Sequence, residues 1–258
     1  MKKSVLMNTC LMLAFGFLIP AFALAQAPEN KFTAQRLNDQ AVVEINKQNF
    51  GAAIPLLKEA LQLQPNCATA YYNLCSALYF SGDNGSAIAA LKKATTLAPD
   101  EGKFYDQLGV VYADSGDANQ AVRAFKQAIK LRPNEPTAFY NLGCAYIRLK
   151  NFAAAVTALE RAVELEPAHA EARVNLGFAL SRLRQYEEAI EHIRVAVKLN
   201  PSDNEVQFFL GNLYLLANDR TAAVAQCEIL KTAEPRLAQA LYLAINDRKV
   251  INAEYAKR

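Results

Sequence analysis

Asn73, Gln107, Asn141 and Asn175 follow one another at intervals of 34 residues, each directly before a leucine. A primary amide carries an acceptor oxygen and a donor NH2, so one such side chain can bond both the C=O and the N–H of a peptide unit beside it. A row of amides therefore suits an extended chain of any sequence. Asp39 holds the same place before the row and Phe209 after it. Tyr72, Phe80, Tyr140 and Phe178 stand close by in the sequence, several on the same stripe by helical spacing. Exposed aromatics are good anchors, because they add apolar area and lose little entropy when held. Tyr79 and Phe208 are candidates too, although packing between units explains them equally well. A second reading of the row stays open, namely that Asn is simply common at a solvated place. With about 1 kcal/mol per amide and about 2 for each of two anchors, offset by association costs, recognition would be micromolar to millimolar.

Other chemistry finds little support. The chain has two histidines, His169 and His192, and neither belongs to an HExxH segment. No GxxxxGK[ST] phosphate loop or GxSxG nucleophile elbow occurs. Asp83-Asn84-Gly85 lacks the downstream spacing and bidentate Glu of a calcium loop, so it reads as a turn. Cysteines do not come in the paired spacing of zinc sites. Cys67 and Cys75, eight residues apart, would lie about 12 Å apart along a helix, beyond the roughly 7 Å a disulfide spans. Free thiols are expected, with no cofactor, no metal and no catalysis.

The elements that would position the row repeat with it. Pro65, Pro99, Pro133, Pro167, Pro201 and Pro235 are evenly spaced, and Ala53, Ala87, Ala121, Ala155, Ala189 and Ala223 form an unbroken column between them. A second small column runs Ala41, Cys75, Gly109, Gly143, Gly177 and Gly211. Apolar residues recur at three- and four-residue steps on both sides of a short polar turn such as Ser115-Gly116-Asp117, so each unit reads as two helices, stopped by the proline. Small residues belong where helices cross, with the large column Leu57, Leu91, Phe125, Leu159 and Ile193 filling the groove beside them. Cys227 takes the large residue's place in the sixth copy, and Cys75 and Cys227 read as small buried hydrophobes.

This pattern resembles the tetratricopeptide repeat (TPR) family: helix-turn-helix units of this length, with a small residue on the first helix, Ala on the second and Pro between units. The resemblance implies an all-α, right-handed superhelical solenoid, whose first helices line a concave groove. Six copies are expected at 34–67, 68–101, 102–135, 136–169, 170–203 and 204–237. A C-terminal capping helix is expected over 238–258. Gln40 and Glu44 make the first copy polar where it has no neighbour. The TPR half of the O-linked N-acetylglucosamine transferase resembles this array, and by that likeness Asn73, Asn141 and Asn175 would hold peptide backbone, with the longer Gln107 a departure. The carboxylate clamp of cytosolic co-chaperones is not assembled: its inward places carry Asn38, Tyr72, Asn73, Asp106 and Gln107, and only Lys103 matches a basic member.

The N-terminal MKK and the apolar run to Ala23-Leu24-Ala25 look like a secretory signal over residues 1–25, followed by a flexible leader over 26–33. Loss of Lys2 and Lys3 from 28 basic residues, against 25 acidic ones, leaves a nearly neutral chain with no long-range attraction to nucleic acid. No membrane insertion of the mature chain is expected. The expectation is a periplasmic or secreted, non-catalytic interaction scaffold or assembly factor, docking an extended or helical segment of another envelope protein. The alternative is an accessory, substrate-presenting subunit of a separate enzyme such as a glycosyltransferase. Oligomeric state is not read from the sequence.

Overall fold

The computed structural model describes residues 21–247, with side chains from Glu29 onward. The chain forms thirteen helices in this range, with no strand among the described residues. Six antiparallel pairs follow in order. Their first helices are α1 (Ala21–Asn46), α3 (Ala68–Phe80), α5 (Gly102–Asp114), α7 (Pro136–Arg148), α9 (Ala170–Arg182) and α11 (Asn204–Leu216). Their second helices are α2 (Phe50–Leu63), α4 (Asn84–Leu97), α6 (Ala118–Leu131), α8 (Phe152–Leu165), α10 (Tyr186–Leu199) and α12 (Arg220–Ala233), and α13 (Pro235–Asp247) closes the array.

One device sets all six pairs and a second sets four of them, since α2 and α10 start without a side-chain cap. The residue beyond the first helix adopts a left-handed conformation, with φ of 60° at Gln48, 90° at Gly82, 85° at Gly116, 57° at Lys150, 63° at Arg184 and 62° at Asn218. That conformation ends the helix and turns the chain. In those four the second helix then starts under a side-chain cap: Asp83 accepts from the Ser86 N–H, Asp117 from Gln120, Asn151 from Ala154 and Asp219 from Ala222. Such caps satisfy donors that have no partner within the helix.

The columns read from the sequence are the interior. All six alanines from Ala53 to Ala223 are fully buried, as are Leu57, Leu91, Phe125, Leu159 and Ile193. A methyl group added at Gly109 would lie 2.5 Å from the Phe125 ring, at Gly143 2.5 Å from Leu159 and at Gly177 2.6 Å from Ile193, so only a glycine lets these helices close. Cys75 and Cys227 are buried, and Cys67, Cys75, Cys144 and Cys227 are all free thiols.

Both ends correct the sequence reading. Residues 26–33, expected as a loose leader, lie within α1, twice the length of the other first helices. Once a helix is anchored, each further residue adds a hydrogen bond without a new nucleation cost, so an overhang propagates easily. The capping helix begins at Pro235 rather than at 238, because proline is well tolerated at a first helical position, where its missing N–H has no helical partner to lose. Its expected continuation over 248–258, like most of the signal segment, lies outside the described residues. At Gly211 the large neighbour is Leu241 of α13, not Cys227 of the same repeat. Cys227 is too small to fill that groove, and the fully buried Leu241 enters it from the next helix. Glu44 at the polar first repeat pairs with Lys47 at 2.9 Å and accepts from Asn49 at 2.8 Å.

Candidate functional site: the inner face of the first helices

Several first helices touch the next one in line, α1 with α3, α5 with α7 and α7 with α9, and α11 touches the closing helix α13. No two second helices make a comparable approach among the described residues. A stack whose elements sit closer on one side curves toward that side, which makes the first helices the concave lining.

Side chains that bridge first helices mark this face. Asn73 Nδ2 donates to Asn38 Oδ1 at 2.9 Å, and Asn141 Nδ2 to Asp106 Oδ1 at 3.4 Å. The Tyr79 hydroxyl donates to the Asp114 carboxylate and the Arg148 guanidinium to the Ala113 carbonyl. All four contacts join residues 35 apart, one more than the repeat. Asn175 Nδ2 reaches Cys144 Sγ at 3.3 Å instead. The three asparagines thus lie in one row, each with one N–H committed to the preceding repeat. Asn73 and Asn141 keep an Oδ1 and a second N–H for another molecule, whereas the Asn175 amide also donates to the Tyr140 hydroxyl and keeps its Oδ1. Gln107 continues the row by register, partly buried and without a side-chain bond.

The four predicted aromatics divide. The Tyr72 ring stacks on Phe104 at 5.1 Å, and the Lys103 ammonium lies 5.9 Å from its centroid. Tyr140 lies 4.8 Å from His169, the N-cap residue of α9. Burial, with Cys144 beside it, pushes the Tyr140 hydroxyl up to about 12, so it is a neutral donor at physiological pH. Phe178 meets Phe152 edge-on at 6.2 Å, and the Arg182 guanidinium stands 5.0 Å over the Phe152 ring. Phe80 is 62% exposed and stacks on Phe50 at 5.3 Å, at the turn end of α3 rather than along the amide row. Phe208 is buried, so the packing explanation holds for it, and Tyr79 is drawn into the bridge to Asp114.

The sequence places Asn38 and Asp106 on the inward face but does not pair them with the row, and it does not single out Cys144. A search at spacing 35, or 31 for Cys144, would have paired each with its asparagine. Burial is the first cause raising Asp106 above the usual carboxylate range, and the Asn141 amide and the Arg132 charge offset it only in part. Burial likewise pushes the Cys75 thiol up to about 12 and raises Cys144, which leaves both as weak nucleophiles. His192 is lowered, by burial first and then by the Arg173 charge. No group of three or more His, Cys, Asp or Glu is placed to hold a metal ion among the described residues, and none of their helices is long and apolar enough to cross a membrane.

A curved stack of helix pairs with a polar and aromatic lining defines a superhelical docking scaffold of the repeat class. Tetratricopeptide repeat profiles match residues 45–106, 109–150, 140–204 and 174–238, and the chain belongs to the tetratricopeptide repeat family. It is similar to MamA (residues 41 to the end) from Desulfovibrio magneticus RS-1, at 28% identity over 64% of this chain and 93% of that one, with a TM-score of 0.60. YrrB, described as a TPR protein with an unusual peptide-binding site, superposes with a TM-score of 0.64 at 24% identity, over 71% of this chain and 95% of that one. PilF of Pseudomonas aeruginosa shares the fold at a TM-score of 0.68 and 17% identity, over 86% of this chain and all of its own. No curated protein matches the chain.

Proposed function

We propose that this protein is a non-catalytic interaction scaffold of the bacterial cell envelope, which holds an extended or helical segment of a partner against its concave face. The observation that carries this reading is the row of Asn73, Asn141 and Asn175, fixed by bonds to the preceding repeats while all three keep an acceptor oxygen, and Asn73 and Asn141 a donor N–H, for a ligand. Preorganised polar groups lose little entropy on binding, so each bond to a ligand is more effective than one made by a free side chain. The peptide-binding site named for YrrB, a protein of like fold, agrees with this use of the groove. The export reading rests on the basic start and apolar run that end at Ala25.

The test combines Asn141→Ala with Asn175→Ala. At about 1 kcal/mol for each amide, the double variant should weaken capture of the partner roughly 30-fold. The measurement is crosslinking in the intact envelope followed by affinity purification, with helical circular dichroism unchanged. Undiminished capture by a folded double variant removes the amide row from the binding site. Recovery of the protein in the cytoplasmic fraction removes the envelope assignment.

A further inference from the structure

We propose that Asp106 is the receptor for a basic side chain, arginine or lysine, carried by the segment that docks on the concave face. This rests on the reading of that face as the docking surface and adds the chemistry it selects.

Asp106 lies on α5, in the middle of the array, and is partly buried. Its carboxylate has one polar contact, the Asn141 amide at 3.4 Å, which is long for a hydrogen bond to a charged acceptor. None of the ion pairs among the described residues includes it. The nearby cations are engaged elsewhere. Arg132 is held by Glu135, and Lys103, one turn before Asp106, pairs with Glu101 at 3.6 Å and leans over the Phe104 and Tyr72 rings. A carboxylate withdrawn from water without a paired cation loses hydration that the Asn141 amide and the Arg132 charge replace only in part. Burial accordingly lifts its pKa.

The surroundings suit a cation on a long aliphatic stem. Tyr72 stands close enough that the Asp106 charge raises its hydroxyl pKa, and Tyr140 occupies the same register position on α7. Aromatic rings accept the stem by packing and the head by cation–π attraction. Gln107 and Asn141 beside it would hold the backbone from which that side chain projects. A guanidinium is the better fit of the two heads, since it offers paired donors to one carboxylate and lies flat on a ring. A metal ion is a poor alternative, because no second and third ligand accompany the carboxylate among the described residues.

The test is selection of a random dodecapeptide library on the immobilised, purified protein, on Asp106→Asn, on Asp106→Lys and on the Asn141→Ala, Asn175→Ala double variant, each checked for native circular dichroism. The unaltered protein should enrich peptides in which arginine or lysine is favoured about tenfold at one register position. Asp106→Asn should lose that preference while still retaining peptides, and Asp106→Lys should turn it toward aspartate or glutamate. Enrichment without a basic position, or the same basic preference in Asp106→Asn, overturns the proposal. In that case loss of enrichment in the double variant leaves the groove itself intact as the docking site. No enrichment on the unaltered protein above bare support overturns both.

Discussion

Gly177 and Ile193 test the steric rule on which the solenoid is built. A methyl group at residue 177 would stand 2.6 Å from both Cδ1 and Cγ1 of Ile193 and 3.2 Å from the Ala189 carbonyl oxygen. Ile193 is fully buried, so any shift of its side chain is into packed neighbours. Gly→Ala in a helix interior gains about 1 kcal/mol from propensity, while overpacking of this kind costs about 1–3 kcal/mol. Gly177→Ala is therefore neutral to destabilising by about 2 kcal/mol despite the better helix former. Ile193→Ala alone should cost about 2–5 kcal/mol, but it removes the two side-chain atoms nearest the new methyl and leaves only the Ala189 carbonyl oxygen beside it. In that background Gly177→Ala should stabilise by about 1 kcal/mol, which gives a coupling of about 1–3 kcal/mol between the two sites. Urea unfolding followed by circular dichroism on the four proteins of the cycle measures it. Additive effects, or a stabilising Gly177→Ala in the unaltered background, would refute the argument that small residues are required where these helices cross.

Leu241→Ala should release α13 from the groove beside Gly211. A local loss of about 2 kcal/mol should speed amide exchange in α12 and α13 roughly 30-fold, with α3 to α6 unchanged, since repeats communicate mainly with their neighbours. Arg184 has φ of 63°, a conformation that suits glycine better, so Arg184→Gly should raise stability by about 0.5–1 kcal/mol in the same urea assay.

The parts of this structure that were legible in the sequence are those where one steric demand recurs at every repeat. Ala53 to Ala223 and Gly109 to Gly177 each face the same crowding, so the same residue type returns in register. The left-handed turn residues obey the same 34-residue step, although only Gly82 and Gly116 announce it chemically; Gln48, Lys150, Arg184 and Asn218 take the conformation at some strain. What composition concealed depends on neighbours that are not equivalent. Leu241 replaces a missing large residue from outside the sixth repeat, and α1 extends upstream because nothing in its own first copy ends it. The positions of the candidate site were half legible. The asparagine row stood out by its spacing, whereas its bridging partners were hidden because contacts between repeats advance by 35 residues and not 34.

That bridging gives the inner face a dual character, and Asp106 exposes the cost. Its pKa is raised in the folded state above the value of about 4 for an exposed aspartate. Between those two values the native chain binds more protons than the unfolded one, so the contribution of this residue to stability declines as pH rises through its folded pKa. Asp106→Asn keeps an acceptor for the Asn141 amide and removes the charge. The variant should therefore melt at a higher temperature than the unaltered protein at neutral pH, with the gap narrowing as the pH is lowered toward about 4. Thermal unfolding of both proteins across that range isolates the residue, because the titration of all other groups is shared. A variant that melts lower at neutral pH would mean that the free protein already satisfies the carboxylate. A higher melting point, together with weaker peptide capture, places Asp106 among residues retained for binding at the expense of stability, where the ligand supplies the missing cation.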